Sequence, residues 1–274
     1  MKKELKIPPM AEPIEPILTD ITDEEMEELT NELMLISDEG RTTLNDWSKE
    51  IMETVVDLKE LMMMYSCAMK DVRAKLEILN IEYNVKHKRN PIHSINTRLK
   101  RLTGIMEKMG RKGITFSIDN VENNIHDVAG VRVICSYVDD IYAIAKALEN
   151  QEGVEIIEEK DYIKNPKPNG YRSLHLIMSV PISFTNQVKR MRVEVQIRTI
   201  AMDFWATLEH QMKYRKHLPD GEEIISNLKG CAEIIATTDS RMLAIRRQIE
   251  ESASDPTEED ILLEKIRKID EPIE

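Results

Sequence analysis

Residues 191–199 read Met-Arg-Val-Glu-Val-Gln-Ile-Arg-Thr, a stretch in which apolar and polar side chains alternate. Alternation with a period of two predicts a β-strand with one apolar face and one polar face. Glu194, Gln196 and Arg198 then share the polar face. Because charged and amide side chains in a row are unsuited to a core, we expect this face to line a cleft.

Further strands are predicted earlier in the chain. An almost continuous apolar run predicts a buried strand over residues 128–138, and shorter runs predict strands over residues 154–159 and 172–180. Residues 141–148 have helical spacing, and residues 160–170 form a polar loop that contains two prolines and a glycine. The implied fold class is α+β, with a mixed β-sheet flanked by helices.

Long helices are predicted on both sides of the sheet region. Apolar spacings of three, four or seven predict a helix over residues 42–83, and further helices are predicted over residues 95–111 and 200–217. The C-terminal helix repeats apolar or small side chains every three and four residues, at Ile224, Leu228, Cys231, Ile235, Thr238, Met242, Ile245 and Ile249. This heptad seam predicts packing against a long helix, either that of residues 42–83 or one of another subunit.

The charge of the chain is unevenly distributed. Residues 1–40 carry 12 acidic and 3 basic side chains, and residues 250–274 carry 10 and 3, so the body of the chain has a net charge of +4 although the whole has −12. Between Lys86 and Lys112 there are nine Lys or Arg residues and one acid. Such a cluster suits a polyanion, a nucleoside triphosphate or a nucleic acid, although a solvated helix face would have the same composition.

Several classes of protein are disfavoured by the sequence. No apolar run approaches the length that crosses a bilayer, and the N-terminal residues do not resemble a secretory signal. Cys67, Cys135 and Cys231 lie far apart, as free thiols of a cytoplasmic protein do. No Walker-type phosphate loop, zinc-protease helix or serine-hydrolase elbow is present. We therefore expect a cytoplasmic, non-membrane protein.

The remaining pattern favours metal-dependent phosphate chemistry. Asp127 opens the first predicted strand, Glu194 lies on the polar face of the last, and lysines and arginines surround both in the sequence. Carboxylates hold Mg²⁺, and the metal and cations neutralise phosphate oxygens. This pattern predicts phosphoryl or nucleotidyl transfer.

Four motifs give the chain a family resemblance. They are Arg98-Leu-Lys100 with Lys108; Asp127-Val-Ala-Gly-Val-Arg132; Lys160-Asp-Tyr-Ile leading to Lys167-Pro-Asn-Gly-Tyr-Arg-Ser-Leu-His175; and Glu194-Val-Gln-Ile-Arg-Thr199. In order and spacing they resemble the synthetase domain of the RelA/SpoT alarmone synthetases, and the chain looks like the short, stand-alone members of that family. The resemblance implies a nucleotidyltransferase-like mixed sheet, and it leaves no room for the hydrolase domain of the long members.

The resemblance also implies a reaction and residue roles. The reaction is transfer of the β,γ-pyrophosphate of ATP to the ribose 3′ hydroxyl of GDP or GTP, with Mg²⁺ as cofactor. Arg98 and Arg132 resemble the pair that sandwiches adenine, and Lys100 and Lys108 would contact ATP phosphates. Asp127 would bind the metal; Glu194 would share the metal, act as general base, or do both.

The acceptor pocket is implied in the same way. Tyr171 looks like the aromatic residue that stacks on guanine, and Lys160 matches a basic position that would meet phosphates. The other residues implied to line or support this pocket are Lys167, Asn169, His175 and Gln196.

The predicted organisation has four parts. Residues 1–40 form an acidic, partly disordered leader, and residues 41–217 form the synthetase domain with its N-terminal helices. Residues 218–250 form an oligomerisation helix, and residues 251–274 form an acidic tail. The family resemblance and the heptad seam together predict a homotetramer.

Two alternatives remain open on the residues. An RNA-binding module could use the basic cluster, so nucleic acid is a possible but not a required partner. An enzyme of the same fold could also transfer pyrophosphate to adenosine nucleotides or to tRNA ends. The joint presence of Asp127, Glu194 and Tyr171 favours the guanine nucleotide enzyme.

Overall fold

The computed structural model describes residues 44–213 and 221–252. They fall into two compact units that meet between Glu60 and Leu61. The first unit, residues 44–60, is helical throughout. The predicted leader (residues 1–40) and nearly all of the predicted acidic tail lie outside the described residues.

The described residues form six helices and five strands. The helices are α1 (Leu44–His87), α2 (Leu102–Lys112), α3 (Ile118–Asn124), α4 (Val138–Glu149), α5 (Ile200–Lys213) and α6 (Gly221–Ser252). The strands are β1 (Ile92–Leu99), β2 (Ala129–Cys135), β3 (Glu155–Asp161), β4 (Leu174–Ser183) and β5 (Val188–Thr199).

The five strands form one mixed sheet in the order β1-β2-β5-β4-β3. Strands β2 and β5 are parallel, and the other neighbouring pairs are antiparallel. A mixed sheet flanked by helices confirms the predicted fold class. Strand β5, which contains the alternating residues 191–199, lies in the middle of the sheet, and β1 and β3 form its edges.

The core lies on the apolar face of the sheet. Val131 and Val133 on β2 and Val195 and Ile197 on β5 are completely or almost completely buried. In the second unit they belong to one apolar cluster with side chains of α1, α2 and α4, including Tyr65, Leu76, Ile105, Met109, Ile141 and Leu148. Alternation along β5 thus places its valines in this core and its polar side chains on the opposite face.

The prediction of a helix over residues 95–111 is wrong in its first half. Residues Ile92–Leu99 form strand β1, which pairs with β2 from Ile92↔Cys135 to Leu99↔Ala129. Hydrogen bonding to β2 overrides the weak helical spacing, and the helix α2 begins only at Leu102. Arg98 therefore lies on an edge strand of the sheet, and Lys100 follows directly after that strand.

The other predicted elements are confirmed with shifted ends. The helix predicted over residues 42–83 is α1, that of residues 141–148 is α4, and that of residues 200–217 is α5 as far as Lys213. The strands predicted over residues 128–138, 154–159 and 172–180 correspond to β2, β3 and β4. Within the described residues, none of the helices is long and apolar enough to cross a membrane.

Helix α6 packs against the rest of the second unit through only part of the predicted seam, because Leu228 and Ile235 pack against Trp205 and Ala206 of α5. Its buried residues are Ala232 and Asp239, and its main neighbours in the second unit are α5 and α4. Met242, Ile245 and Ile249 of the predicted seam are exposed. The inner face is held by polar contacts: Asp239 accepts a hydrogen bond from Thr199 Oγ1 at 2.7 Å, and Arg246 pairs with Asp139 at 2.6 Å.

Candidate active site

The polar face of the sheet carries half of the predicted site residues. Paired residues on neighbouring strands share a face, and Arg98 pairs with Gly130, which in turn pairs with Glu194. A second row crosses all five strands and consists of Asn96, Arg132, Gln196, His175 and Lys160. The shared face predicted for Glu194 and Gln196 is thus confirmed, and the two predicted nucleotide sites adjoin on it.

Gly130 leaves the first row without a side chain at its centre. A Cβ atom at this position would meet the backbone oxygen of Arg98 at 3.5 Å, which is an ordinary contact. The surface between Arg98 and Glu194 is therefore not filled by a side chain of β2.

Asp127 lies between two lysines just before β2. Its Oδ2 is 2.9 Å from Lys100 Nζ, and its Oδ1 is 2.7 Å from Lys108 Nζ. Burial alone would raise the pKa of Asp127, but the hydrogen bonds and charges of Lys108 and Lys100 outweigh it and lower the pKa. The three residues predicted to handle the metal and the ATP phosphates thus form one cluster.

The two arginines predicted to sandwich adenine lie on adjacent strands. Arg98 pairs with Gly130, and Arg132 lies two residues beyond Gly130, so both arginines project from the same face as diagonal neighbours. Arg98 is exposed, and Arg132 has 43% of its side chain exposed with Asp203 of α5 at 3.6 Å. The Arg98 guanidinium group is thus open to solvent, whereas that of Arg132 is partly exposed and its Nε is buried.

The loop before β4 is tied down by short contacts. Asn169 Nδ2 donates to Glu209 of α5 at 2.9 Å, and Asn169 Oδ1 accepts from the backbone N–H of Tyr171 at 3.2 Å. Gly170 has φ +91, and a Cβ there would lie 2.6 Å from the Cβ of Ala232, so glycine is required on both counts. The loop is therefore clamped against α6 in a fixed conformation.

Tyr171 is held by this loop in an aromatic and basic environment. Its ring makes edge contacts with Tyr162 and His175, at centroid distances of 6.1 and 5.8 Å. The Lys167 ammonium lies 4.9 Å from the ring centroid. Burial raises the pKa of Tyr171, so its hydroxyl is neutral at physiological pH. Three of the residues predicted for the acceptor pocket, Lys167, Tyr171 and His175, are therefore assembled.

Glu194 is joined to the acceptor side by both carboxylate oxygens. His175 Nδ1 lies 3.3 Å from Oε1, and Gln196 Nε2 donates to Oε2 at 2.9 Å. Burial alone would raise the pKa of Glu194, but the interactions with His175 and the hydrogen bond from Gln196 outweigh it and lower the pKa. Glu194 is therefore ionised at neutral pH, as a base or a metal ligand must be.

Lys160 lies at the edge of the site and pairs with a residue outside it. It lies on the edge strand β3, its side chain is 46% exposed, and its ammonium pairs with Glu158 at 2.8 Å. Its Cα is opposite His175, so the lysine borders the acceptor pocket. A long flexible side chain at the border can reach a phosphate without lining the pocket floor.

The structure adds residues that the sequence did not assign to the site. Arg198 Nη2 donates to the Tyr171 hydroxyl at 3.1 Å and to Gln196 Oε1 at 2.7 Å. Asp203 pairs with Arg198 at 3.3 Å, and Trp205 packs with Tyr171 at a centroid distance of 6.5 Å. Alternation had placed Arg198 beside Gln196, which was a usable signal, whereas nothing in the sequence distinguished Asp203, Trp205 or Glu209.

Two carboxylates, those of Asp127 and Glu194, form the predicted donor set for Mg²⁺. The charge of Asp127 acts on Glu194 and partly offsets the net lowering of its pKa. In residues 44–213 and 221–252 no group of three or more His, Cys, Asp or Glu is arranged to hold a metal. Mg²⁺ usually binds one or two carboxylates together with substrate phosphates, so two carboxylates beside phosphate-binding lysines fit this ion. Both oxygens of Asp127 are paired with lysines and must first be released.

Comparison with known proteins agrees with these features. The family described as "Region found in RelA / SpoT proteins" matches residues 97–218. The GTP pyrophosphokinase YwaC of Bacillus subtilis is 39% identical over 213 residues, which cover 78% of this chain and 96% of that protein.

Two crystal structures extend the likeness to the fold. The small alarmone synthetase 2 from Bacillus subtilis has a TM-score of 0.63 and 42% identity, covering 70% of this chain and 99% of that one. The small alarmone synthetase 1 from the same organism, bound to its product pppGpp, has a TM-score of 0.64 and 31% identity, covering 70% and 97%. With four motifs at or beside one face of the sheet and matches along nearly the full length of these relatives, the chain belongs to the RelA/SpoT family and, within it, to the small alarmone synthetases.

Proposed function

We propose that this protein is a GTP pyrophosphokinase, which transfers the β,γ-pyrophosphate of ATP to the ribose 3′ hydroxyl of GDP or GTP to make (p)ppGpp. The observation that carries the proposal is the position of Glu194. Across Gly130 it faces Arg98 of the donor end, and its carboxylate is bonded to His175 and Gln196 of the acceptor end. A side chain that acts on the reacting ends of two bound nucleotides must lie between their sites, and Glu194 does so.

The donor nucleotide binds beside β1 and β2. Arg98 and Arg132 stack on adenine, while Lys100 and Lys108 exchange the Asp127 carboxylate for the phosphates of ATP. In the structure both lysines already bind an anion at 2.7–2.9 Å, so an arriving phosphate finds cations in place. The exchange leaves Asp127 free to act as a metal ligand.

The acceptor nucleotide binds at the Tyr171 loop. The ring of Tyr171 stacks on guanine, Asn169 and Lys167 border the base, and Lys160 reaches the 5′ phosphates from the edge strand. His175 and Gln196 hold Glu194 at the ribose end through their hydrogen bonds to its oxygens. This arrangement brings the 3′ hydroxyl to a carboxylate that is ionised at neutral pH.

In the transfer step the 3′ oxygen forms a bond to the β-phosphorus of ATP. The bond from that phosphorus to the oxygen bridging it to the α-phosphorus breaks, and AMP leaves with the electron pair. Glu194 takes the hydroxyl proton, or shares the metal, or does both. Asp127 and Glu194 would hold Mg²⁺, which neutralises the charge of the transferring phosphates.

The direct test follows the label of γ-³²P-ATP into product by thin-layer chromatography. Purified protein with magnesium is offered GDP, GTP, GMP, ADP or tRNA in separate reactions. We expect label on GDP or GTP, and none with Glu194→Gln. Label on ADP or tRNA alone would show that the acceptor is not a guanine nucleotide. No label on any acceptor would refute the proposed activity.

A homotetramer in the cytoplasm is proposed as the working form. The α6 seam leaves Met242, Ile245 and Ile249 exposed, as a subunit interface would, and the substrates are cytoplasmic nucleotides. Cys67, Cys135 and Cys231 are free thiols, as a reducing compartment allows. Light scattering at micromolar concentration should give about four times the chain mass, and Ile245→Asp should lower it. A monomeric wild type would contradict the assembly.

A further inference from the structure

Five side chains between the acceptor pocket and Glu194 close a hydrogen-bonded ring. On one side, Arg198 Nη2 lies 3.1 Å from the Tyr171 hydroxyl, which lies 2.8 Å from His175 Nε2, and His175 Nδ1 lies 3.3 Å from Glu194 Oε1. On the other, Arg198 Nη2 lies 2.7 Å from Gln196 Oε1, and Gln196 Nε2 lies 2.9 Å from Glu194 Oε2. Both arms therefore begin on one guanidinium nitrogen and end on the two oxygens of one carboxylate.

The chemistry of Arg198 fixes the direction of the hydrogen bonds along the Gln196 arm and of the first hydrogen bond of the Tyr171 arm. A guanidinium can only donate, so the Tyr171 oxygen and Gln196 Oε1 both accept. Gln196 then presents its NH₂ group to Glu194, in agreement with the assigned amide orientation.

The tautomer of His175 follows from Glu194. The ionised carboxylate can only accept, so Nδ1 carries a hydrogen, and Nε2 of the neutral ring then accepts the hydrogen of the Tyr171 hydroxyl. Nδ1 then donates to Glu194 Oε1. The opposite tautomer would place the Nδ1 lone pair against a carboxylate oxygen. In each arm, every group thus donates a hydrogen bond to the next, from Arg198 to Glu194.

We propose that Arg198 is a positioning residue for Glu194, acting through the Tyr171–His175 arm and the Gln196 arm in parallel, and that the Tyr171 hydroxyl links the acceptor base site to the reacting end. The inference rests on the proposed function, since it assigns Glu194 to the transfer step. Two donors on opposite oxygens prevent rotation of the carboxylate. Its orientation towards the ribose is therefore set before the acceptor binds.

The burial of Arg198 supports a role beyond simple packing. Its side chain is 3% exposed, and among the described residues its buried Nε atom has no hydrogen-bond partner. Burial also lowers the pKa of the guanidinium, although arginine remains protonated. Its ion pair with Asp203, at 3.3 Å, leaves Nη2 to the two arms. A side chain chosen only for stability would be expected to satisfy all its buried donors.

The test compares kcat and KM for variants that cut one arm or both. Tyr171→Phe keeps the stacking ring and removes one arm, Gln196→Met removes the other, and Arg198→Met removes both. We expect each single-arm variant to lose roughly 3- to 10-fold in kcat and Arg198→Met to lose about 10- to 100-fold, with the KM for ATP changed less than about 2-fold. Tyr137→Phe is the matched control, because it removes a tyrosine hydroxyl that takes no part in the hydrogen-bonded ring of five side chains.

Epistasis tests the connection itself. In the Arg198→Met background, adding Tyr171→Phe should have almost no further effect, because the arm is already without its first donor. In the wild-type background, Tyr171→Phe combined with Gln196→Met should approach the Arg198→Met loss. A further loss from Tyr171→Phe in the Arg198→Met background that is as large as its loss in the wild type would overturn the proposal.

His175 gives a second test that does not depend on replacing a buried arginine. Asparagine places an amide N–H at the reach of Nδ1, whereas glutamine places its amide at the reach of Nε2. His175→Asn should therefore retain a donor to Glu194 and exceed His175→Gln in kcat by about 5-fold or more. Equal kcat values, or a more active glutamine variant, would contradict the assigned tautomer.

The wild-type reaction separates the two levels of failure. A wild type that labels no guanine nucleotide would remove the proposed function and this inference with it. An active wild type whose Tyr171→Phe, Gln196→Met and Arg198→Met variants all match it would remove only the inference.

Discussion

The two ends of the site are built in different ways. At the donor end, Arg98 is exposed and Arg132 is partly exposed, and Lys100 and Lys108 are paired with a carboxylate that the substrate must displace. At the acceptor end, Tyr171 and Glu194 are largely buried and held by neighbours on β4, β5 and α6. The donor end thus consists of cations, two of which are paired with the Asp127 carboxylate until ATP displaces it. The acceptor end is already held in one conformation without a ligand.

The difference follows from what each end recognises. Polyphosphate recognition needs charge, and charges remain solvated or paired until the ligand supplies a better partner. Guanine recognition and alignment of a hydroxyl need shape and orientation, which only a packed, hydrogen-bonded pocket holds in advance. Substitutions at the donor end should therefore change affinities for anions, and those at the acceptor end should change orientation and base recognition.

The largest expected effect is at the junction. Glu194→Gln keeps the size of the side chain but removes its charge, so we expect kcat to fall by about 1,000-fold or more while both nucleotides still bind. Rapid-quench transfer assays and calorimetric binding to the same protein measure the two quantities. Retained transfer would show that the junction does not depend on this carboxylate.

Asp127→Asn should separate chemistry from binding at the donor end. Transfer should fall by roughly 100- to 1,000-fold because a metal ligand is lost. Without magnesium, however, ATP should bind at least as tightly as to wild type, because Lys100 and Lys108 no longer have an internal carboxylate to pair with. Calorimetry in EDTA measures this affinity, and clearly weaker binding would contradict the provisional pairing.

Tyr171→Ala should act on one substrate only. Loss of the stacking ring should raise the KM for GDP or GTP by about 10-fold or more and leave the KM for ATP within about 3-fold. Steady-state kinetics with each substrate varied in turn make the measurement. An equal rise in both KM values would contradict separate pockets.

The smallest effect concerns the start of the acceptor loop. Burial would raise the pKa of Asp161, but the N–H groups of Lys164 and Ile163, with Lys164 Nζ and the Tyr142 hydroxyl, lower it. A lowered folded-state pKa adds stability above the ordinary value of about 4, and this stability is lost as pH falls through the folded-state pKa. Asp161→Asn should therefore cost about 1 kcal/mol at pH 7 and progressively less towards pH 3.

Urea unfolding of wild type and Asp161→Asn at both pH values measures this difference. A gap in unfolding free energy that widens on acidification would reverse the expected sign. Because the carboxylate lies at the end of β3, activity at pH 7 should fall less than with Tyr171→Ala.

Sequence reasoning was strongest where a local pattern decides the outcome. Alternation over residues 191–199 correctly placed Glu194 and Gln196 on one face, because strand geometry fixes the side of each residue. The spacing of residues 95–111 misled, since pairing with β2 is a non-local interaction that no window of sequence contains. The ring through Arg198 required knowledge of which side chains meet across strands, and motif order alone could not supply it.

The seam of α6 shows a further limit of periodicity. Apolar spacing identified a long helix correctly, and Leu228 and Ile235 of the seam do pack against α5, but Met242, Ile245 and Ile249 are exposed. Asp239 and Arg246 lie on the inner face there because Thr199 and Asp139 offer them partners. Polar side chains with specific partners therefore orient the C-terminal part of this helix.

The missing side chain at Gly130 separates the demands of folding from those of catalysis. A methyl group there would make only an ordinary contact with Arg98, so alanine should be accepted by the strand. Any effect of Gly130→Ala or Gly130→Val on transfer would then report the clearance between the two bound nucleotides. Alanine and valine at this position would extend one and two carbon atoms from the backbone, and their effects on transfer would measure the space between the two nucleotides.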